Sequence, residues 1–177
     1  MNRRTALFAL TSGLLLTLAP SAFAEGMIHT GDAVRVKSFG FISVNVYAIR
    51  HDMKEKPATK SKQAVIDADV DKKFTCQMLR GVTQSQIQGA LRDAFKLNGY
   101  TDSGKIEQFV SAFNQAEVKE KTVWVITYNA ANKTTSLWVK DAGSTSVAGA
   151  DFMKAVWSIW FGKIDQKEMG NQLISKL

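Results

Sequence analysis

Arg35 is the strongest candidate for a functional side chain in this sequence. Residues 31–35 predict a β-strand, Gly40 marks a bend, and residues 42–49, rich in β-branched side chains, predict a second strand. An arginine keeps its positive charge and offers a planar fork that matches a carboxylate. A guanidinium beside an apolar sheet therefore needs an anionic partner or a route to water. The plain alternative is a surface arginine beside Lys37 on one face of the strand.

The sequence lacks the signatures of catalytic, metal and cofactor sites. It contains no G-x-S-x-G, H-E-x-x-H, P-loop or dinucleotide-binding motif. The two histidines, His29 and His51, do not stand at metal-ligand spacing with a cysteine or with each other. No serine has a recognisable base to activate it. We therefore predict no metal, no cofactor and no hydrolytic chemistry.

Helical patterns follow the first strands. Thr83 and Gln86 have the spacing of a capping box, apolar residues recur at helical spacing over 87–95, and Asn98 with Gly99 predicts the end of that helix. Residues 106–113 predict a second helix with one apolar stripe. The two helices therefore form a pair with one apolar side.

The second half of the chain repeats this order. Residues 123–128 and 136–139 predict a hairpin, and residues 145–148 a further short strand. Asp151 is expected to cap a helix that is apolar on nearly all sides, and Asp165 with Glu168 to cap the last one. The chain thus has strands followed by helices, and this order occurs twice. Such an order predicts an α+β fold, in which an antiparallel sheet has helices on one face.

The N-terminus has the features of a secretory signal peptide. A basic start at Arg3 and Arg4 precedes an apolar run over 6–19 and the small-x-small triplet 22–24. This run is too short for a membrane span. We predict a signal peptide over 1–24, a single domain over 25–177 with no stable membrane span after cleavage, and export to a bacterial periplasm.

The charge of the remaining chain is modest. The full sequence has 23 basic and 16 acidic residues, and loss of Arg3 and Arg4 leaves a formal charge of +5. No basic stripe interleaved with aromatic residues is present, so nucleic-acid binding is not predicted. Weak attraction to an anionic membrane surface stays open. The four tryptophans either fill the core or line a cleft between sheet and helix, the usual shape of a small-molecule site.

Five short segments together resemble the bacterial chalcone isomerase-like proteins, in order and spacing over nearly the whole predicted domain. They are Gly-Asp-Ala-Val-Arg at 31–35, Val-Tyr-Ala at 46–48, Met-Leu-Arg-Gly-Val at 78–82, Gly-Ala-Asp-Phe at 149–152 and Ile-Trp-Phe-Gly at 159–162. The resemblance implies an open-faced β-sandwich, a large antiparallel sheet backed by helices with a ligand cleft between the layers. This agrees with the α+β prediction.

The plant enzymes of the family close a flavonoid ring by attack of a phenolate, using an Arg with polar partners. By resemblance their Arg corresponds to Arg35, but their strand Thr falls near Ile42, their helical Tyr and Asn near Thr83 and Ala90, and their late Thr at Ile159. Without the groups that position substrate and proton, most of the transition-state stabilisation is missing. The resemblance therefore favours a non-enzymatic role.

Noncatalytic members of this fold bind fatty acids, holding the carboxylate with Arg and Tyr. We accordingly predict an exported protein that binds a small apolar acid through Arg35, with Ile42 and Ile159 near the ligand and Tyr47 as a weaker partner. Strict alternation would turn Tyr47 away from the cleft if the aliphatic face of its strand meets the helices. Two alternatives stay open: an isomerase or lyase on an unknown substrate, and a ligand-free interaction module in which Arg35 pairs with an internal acid. The sequence does not identify a protein partner.

Overall fold

A six-stranded antiparallel sheet forms the frame of the protein, with neighbouring strands in the order Ile28–Phe39, Ile42–Met53, Lys72–Met78, Val123–Asn129, Thr134–Val139 and Ser144–Ala148. The structure, a computed structural model, describes residues 26–177. The elements are β1 Ile28–Phe39, β2 Ile42–Met53, α1 Lys62–Asp67, β3 Lys72–Met78, β4 Val82–Thr83, α2 Gln84–Leu97, α3 Ser103–Val110, β5 Glu117–Val118, β6 Val123–Asn129, β7 Thr134–Val139, β8 Ser144–Ala148, α4 Ala150–Phe161 and α5 Met169–Leu173. The predicted signal peptide over 1–24 lies outside the described residues and stays a prediction.

The α+β architecture predicted from the sequence is confirmed. Along each of the strands β3, β6 and β7, buried residues alternate with more exposed ones, which shows that one face of the sheet is covered. The most apolar helix, α4, supplies that cover with its fully buried Trp157 and Trp160. Trp138 points the other way and is partly exposed on the outer face. The core therefore lies between one sheet face and the helices.

Several local predictions are also confirmed. Gly40, at a φ of +60°, lies between β1 and β2, where the bend was expected. The capping box of α2 is complete: Thr83 Oγ1 accepts from the Gln86 N–H at 3.2 Å, and Gln86 Oε1 accepts from the Thr83 N–H at 2.9 Å. Asn98 is the C-cap of this helix, and Gly99 follows at a φ of +80°.

Two predicted helix caps are wrong. Gly149, and not Asp151, is the N-cap of α4; the Asp151 carboxylate lies in the first turn and pairs with Lys105 at 2.9 Å. Asp165 does not cap α5, whose N-cap is Glu168. Both aspartates instead meet cations from distant parts of the chain, which local spacing does not reveal. The short helix α1, capped by Ser61, was not predicted because it adds only one turn and a half to a polar connection.

No helix within residues 26–177 is long and apolar enough to cross a membrane.

Candidate functional site

A β-bulge in β2 places Tyr47 beside Arg35. Arg35 pairs with Tyr47 across the first two strands, but Val36 pairs with Asn45, so that Val46 is an extra residue in β2. An extra residue breaks the alternation of a strand. Val44 before the bulge and Tyr47 after it therefore both face the helices, and both line the same cavity. The prediction that Tyr47 turns away from the cleft is wrong for this reason.

That cavity, of about 720 Å³, lies between the hairpin end of β1 and β2 and the helices α2 and α4. Its size is within the range of small-molecule sites. Apolar side chains from three elements form much of its wall, including Val44 of β2, Leu91 of α2 and Ile159 of α4. Four bases and two acids lie among its lining residues, namely Arg35, Lys37, Arg80, Lys163, Asp93 and Asp165. The cavity is thus apolar with a net positive edge.

Arg35 is held at this edge with part of its guanidinium unused. Its side chain is only 16% exposed, and Nη2 lies 2.7 Å from Asp165 Oδ1. Nη1 donates to the Val36 carbonyl at 3.2 Å and, more weakly, to Gln166 Oε1 at 3.4 Å. A guanidinium has five N–H groups. Among residues 26–177, the Nε–H and the second Nη2–H have no protein acceptor.

The segment that carries Asp165 is fixed to the edge of the sheet by Gln166. The Gln166 side chain accepts from the Val36 N–H and donates to the Val34 carbonyl, both at 2.8 Å. These two bonds satisfy backbone groups of β1, which is an edge strand with exposed pairing positions. They also hold Asp165 next to Arg35.

Asp165 is shared by two cations. Besides Arg35, Lys37 Nζ lies 3.2 Å from its Oδ2. Partial burial alone would raise the pKa of Asp165, but the charges of Arg35 and Lys37 outweigh it and lower that pKa below its ordinary value. The carboxylate is therefore ionised at neutral pH. The group of Arg35, Lys37 and Asp165 keeps one net positive charge, which one further carboxylate would neutralise.

Tyr47 contributes a second donor. Its hydroxyl oxygen accepts from the Trp160 indole N–H at 3.0 Å, and burial raises the pKa of Tyr47, so that the phenol stays protonated. Within the described chain, no acceptor takes the proton of this hydroxyl. Trp124, which lines the same cavity, has an indole N–H that is buried without a hydrogen-bond partner in that part of the chain. Donors thus outnumber acceptors here.

The other predicted ligand residues divide. Ile159 is buried in α4 and lines the cavity, as does Ala90. Ile42 does not line it and is 67% exposed, because it pairs with Phe39 at the tip of the hairpin, beyond the cavity. Thr83 is used as the cap of α2. Sequence reasoning missed Asp165 as the partner of Arg35, and no local signal could have identified an ion pair 130 residues apart.

A second hollow, of about 640 Å³, opens on the outer face of the sheet. Its only lining base is Arg50, whose Nε and Nη2 are already bound to the Asp52 carboxylate. No group of His, Cys, Asp and Glu among residues 26–177 could hold a metal ion. The cavity at Arg35 is therefore the better candidate site.

An antiparallel sheet with helices on one face and a cavity between the two layers defines an α+β fold of two layers. The sequence model of the chalcone isomerase-like family matches residues 27–173, and the chain therefore belongs to the chalcone isomerase-like family. No curated protein matches the sequence.

One solved structure of similar fold is the crystal structure of a fatty-acid binding protein of Arabidopsis thaliana. It superposes with a TM-score of 0.69 and 16% sequence identity, over 88% of this chain and 90% of the other. At this identity the likeness shows the fold, which agrees with the family match.

Proposed function

We propose that this protein binds one molecule of a small apolar carboxylic acid, such as a fatty acid, in the cavity at Arg35, and that it does not convert this ligand chemically. The observation that carries the proposal is that Arg35 and Tyr47 both present unused donors to one apolar cavity with a net positive edge. The fatty-acid binding protein of similar fold supports the same ligand class.

The head of such a ligand matches the polar edge. A carboxylate is acceptor-only, and charge-assisted bonds from a guanidinium are the stronger kind of hydrogen bond. The neutral phenol of Tyr47 adds a donor from the neighbouring strand. One carboxylate also cancels the single excess charge of Arg35, Lys37 and Asp165. A neutral ligand could accept from the donors through a carbonyl oxygen, but it would leave this charge without a partner.

The tail of the ligand matches the remainder of the wall. Side chains such as Ile87 and Leu91 of α2, Ile159 of α4 and Val44 of β2 line the cavity. Each methylene moved from water to such surroundings contributes about 0.8 kcal/mol. A chain of several methylenes therefore supplies most of the affinity, and the carboxylate fixes its direction.

The ion pair between Arg35 and Asp165 favours a second candidate, a ligand-free interaction module. An internal acid does hold Arg35, at 2.7 Å. That candidate also requires the space beside Arg35 to be filled, whereas Arg35 lines a cavity of about 720 Å³. An isomerase needs polar positioning groups where Ile159 and Ala90 stand, and we do not favour it.

A fluorescent fatty acid and its displacement by unlabelled acid test the proposal. Arg35→Ala is expected to weaken binding about ten- to a hundredfold, the loss of a charged hydrogen bond of about 1.5–3 kcal/mol. Arg92→Ala is the matched control, because Arg92 forms a two-pronged pair with Glu107 at 2.7 and 2.8 Å outside the cavity. This control is expected to bind as the wild type does.

Mass spectrometry of lipids extracted from the purified protein gives a second readout. The same ligand retained in equal amount by the wild type and by Arg35→Ala would remove the proposal. Turnover of a panel of chalcones that Arg35→Ala abolishes would instead establish an isomerase.

We also propose that the chain is exported to the periplasm after cleavage behind Ala24, on the strength of residues 1–24. Cell fractionation and the mass of the mature N-terminus test this. A cytoplasmic protein that keeps Met1 would contradict it.

A further inference from the structure

The turn between β1 and β2 carries apolar side chains into solvent. Phe41 is fully exposed and Ile42 is largely so. Every residue from 40 to 43 is exposed, and the strand pairing continues to Phe39 and Ile42, past the Lys37–Val44 pair that lines the cavity. The tip therefore extends beyond the cavity wall. Single exposed apolar residues are ordinary, but neighbouring ones at such a tip mark an interaction site.

Two more exposed leucines lie around the same cavity. The N–H of Leu79 donates to the Val46 carbonyl at 2.9 Å, beside the bulge, and Leu97 lines the cavity from the end of α2. We call Phe41, Ile42, Leu79 and Leu97 the apolar rim. In the described part of the chain, the other large exposed apolar residues are Val34 and Trp138, on the outer face of the sheet.

Positive charge accompanies the apolar rim. Arg80 follows Leu79 directly and Lys163 lies near the end of α2, where its N–H donates to Asn98. Both side chains line the cavity, and neither forms an ion pair within residues 26–177. Protruding apolar side chains flanked by bases suit an anionic lipid surface, in which apolar groups enter the acyl boundary and bases meet headgroups.

A protein partner fits this surface less well. A stable protein interface buries roughly 800 Å² on each partner in a closely packed patch. Here the rim residues come from separate elements beside an open cavity, and a flat partner would span empty space. A bilayer is fluid and follows such an outline.

We infer that the apolar rim docks on an anionic bilayer, with Phe41 and Ile42 inserted at the level of the upper acyl chains and Arg80 and Lys163 against the headgroups. This goes beyond the proposed function. Only its consequence rests on that function: an apolar acid could then pass between bilayer and cavity without crossing water.

Flotation of the purified protein with vesicles tests the inference. The probes are vesicles of phosphatidylcholine mixed with phosphatidylglycerol, and vesicles of phosphatidylcholine alone. We expect the protein to float with the mixed vesicles, and we expect added salt to weaken this flotation.

The double variant Phe41→Ser, Ile42→Ser is expected to lower the partitioning of the protein onto vesicles at least about tenfold, because two large side chains no longer leave water. Arg80→Gln with Lys163→Gln is expected to lower it by roughly fivefold for each charge.

Trp138→Ser is the matched control, since it removes an exposed apolar side chain from the outer face, and it should float as the wild type does. No flotation, or flotation that the tip variant leaves unchanged, would overturn the inference. A third result would also overturn it: the wild type is a dimer in sedimentation and does not bind vesicles, and the tip variant is a monomer. The rim would then bind a second copy of the chain. Fatty-acid displacement in solution is measured on the same variants. Tip-dependent flotation without fatty-acid binding would leave the docking in place and refute the proposed function.

Discussion

Two tryptophans of α4, three residues apart, donate hydrogen bonds to two different parts of β2. The indole N–H of Trp157 donates to His51 Nε2 at 2.9 Å, and that of Trp160 donates to the Tyr47 hydroxyl at 3.0 Å. Since an indole can only donate, Nε2 of His51 is the acceptor and its proton is on Nδ1. Nδ1 then donates to Thr30 Oγ1 at 2.6 Å. We call His51 and its partners the closed end.

At the closed end every proton has an acceptor. The Thr30 hydroxyl donates to the Leu173 carbonyl at 2.8 Å, and this bond connects β1 and β2 to α5. Burial lowers the pKa of His51 well below its ordinary value, so the ring is neutral. At the other end, which we call the open end, Tyr47 and Arg35 keep unused donors beside a cavity. The comparison teaches that saturated buried groups such as His51 and Thr30 hold the strands to the helices, while unused donors beside a cavity mark the candidate site. A buried unpaired group alone does not mark it, because Thr135 Oγ1 also lacks a partner among residues 26–177 and does not line the cavity.

The largest expected effect is on the closed end. His51→Ala should lower the free energy of unfolding by about 4 kcal/mol, because it removes a buried ring and leaves Trp157 and Thr30 without their partner. Tyr47→Phe at the open end should cost only about 1 kcal/mol. Urea unfolding followed by circular dichroism measures both. Equal losses would break the comparison between the two ends.

The second prediction concerns Lys72, which is next to the closed end, with Nζ 4.9 Å from the centre of the Trp157 ring. Lys72 is buried, with Nζ donating to the Val65 carbonyl at 2.7 Å, and burial lowers the pKa of Lys72 to about 7. Between that pKa and the ordinary value near 10.5, the unfolded chain binds a proton that the folded chain does not. The free energy of unfolding should therefore rise with pH in this window, by at most about 1.4 kcal/mol per pH unit.

Lys72→Met provides the reference for this pH dependence. Other groups titrate in the same window, but they do so in both proteins, so the difference between the wild type and the variant isolates Lys72. Urea unfolding at several pH values above 7 gives that difference. A difference that stays constant with pH would show that Lys72 keeps its ordinary pKa.

The third prediction sharpens the role of the open end. Tyr47→Phe should weaken fatty-acid binding about three- to tenfold, because the carboxylate loses one neutral donor. Tyr128→Phe is the matched control: Tyr128 donates to Asp69 at 2.7 Å, and it does not line the cavity. Fluorescent displacement measures both variants. Unchanged affinity in Tyr47→Phe would remove this phenol from the site.

The smallest expected effect is at Asp165. Asp165→Asn keeps the shape of the side chain but removes the anion that competes for Arg35, so affinity for the acid should rise about threefold. Asp67→Asn removes a similar exposed carboxylate, paired with Lys154 outside the cavity, and should leave affinity unchanged. A lower affinity in Asp165→Asn would mean that Asp165 positions Arg35 for the ligand.

Much of the fold could be predicted because its signals are local. The bend at Gly40, the cap of α2 at Thr83 and the nearly all-apolar α4 each depend on residues within a few positions of one another. The order of these elements then leaves few arrangements other than a sheet with helices on one face.

The site was only partly predictable because its geometry is not local. Arg35 could be chosen from its type, but its partner Asp165 comes from the far end of the chain. The direction of Tyr47 depends on an extra residue at Val46, and a valine in a β-branched run gives no sign that the pairing slips there. Period-2 reasoning fails wherever a bulge intervenes.

The extra residue at Val46 changes which side chains of β2 face the helices. Before it, even-numbered side chains such as Val44 face inward; after it, odd-numbered ones such as Tyr47, Ile49 and His51 do. Removing this single residue would turn one half of the strand inside out and leave the other half in place. In an alignment of relatives, a gap at this position therefore determines which residues of their second strand face the cavity, whatever the identity of the neighbouring residues.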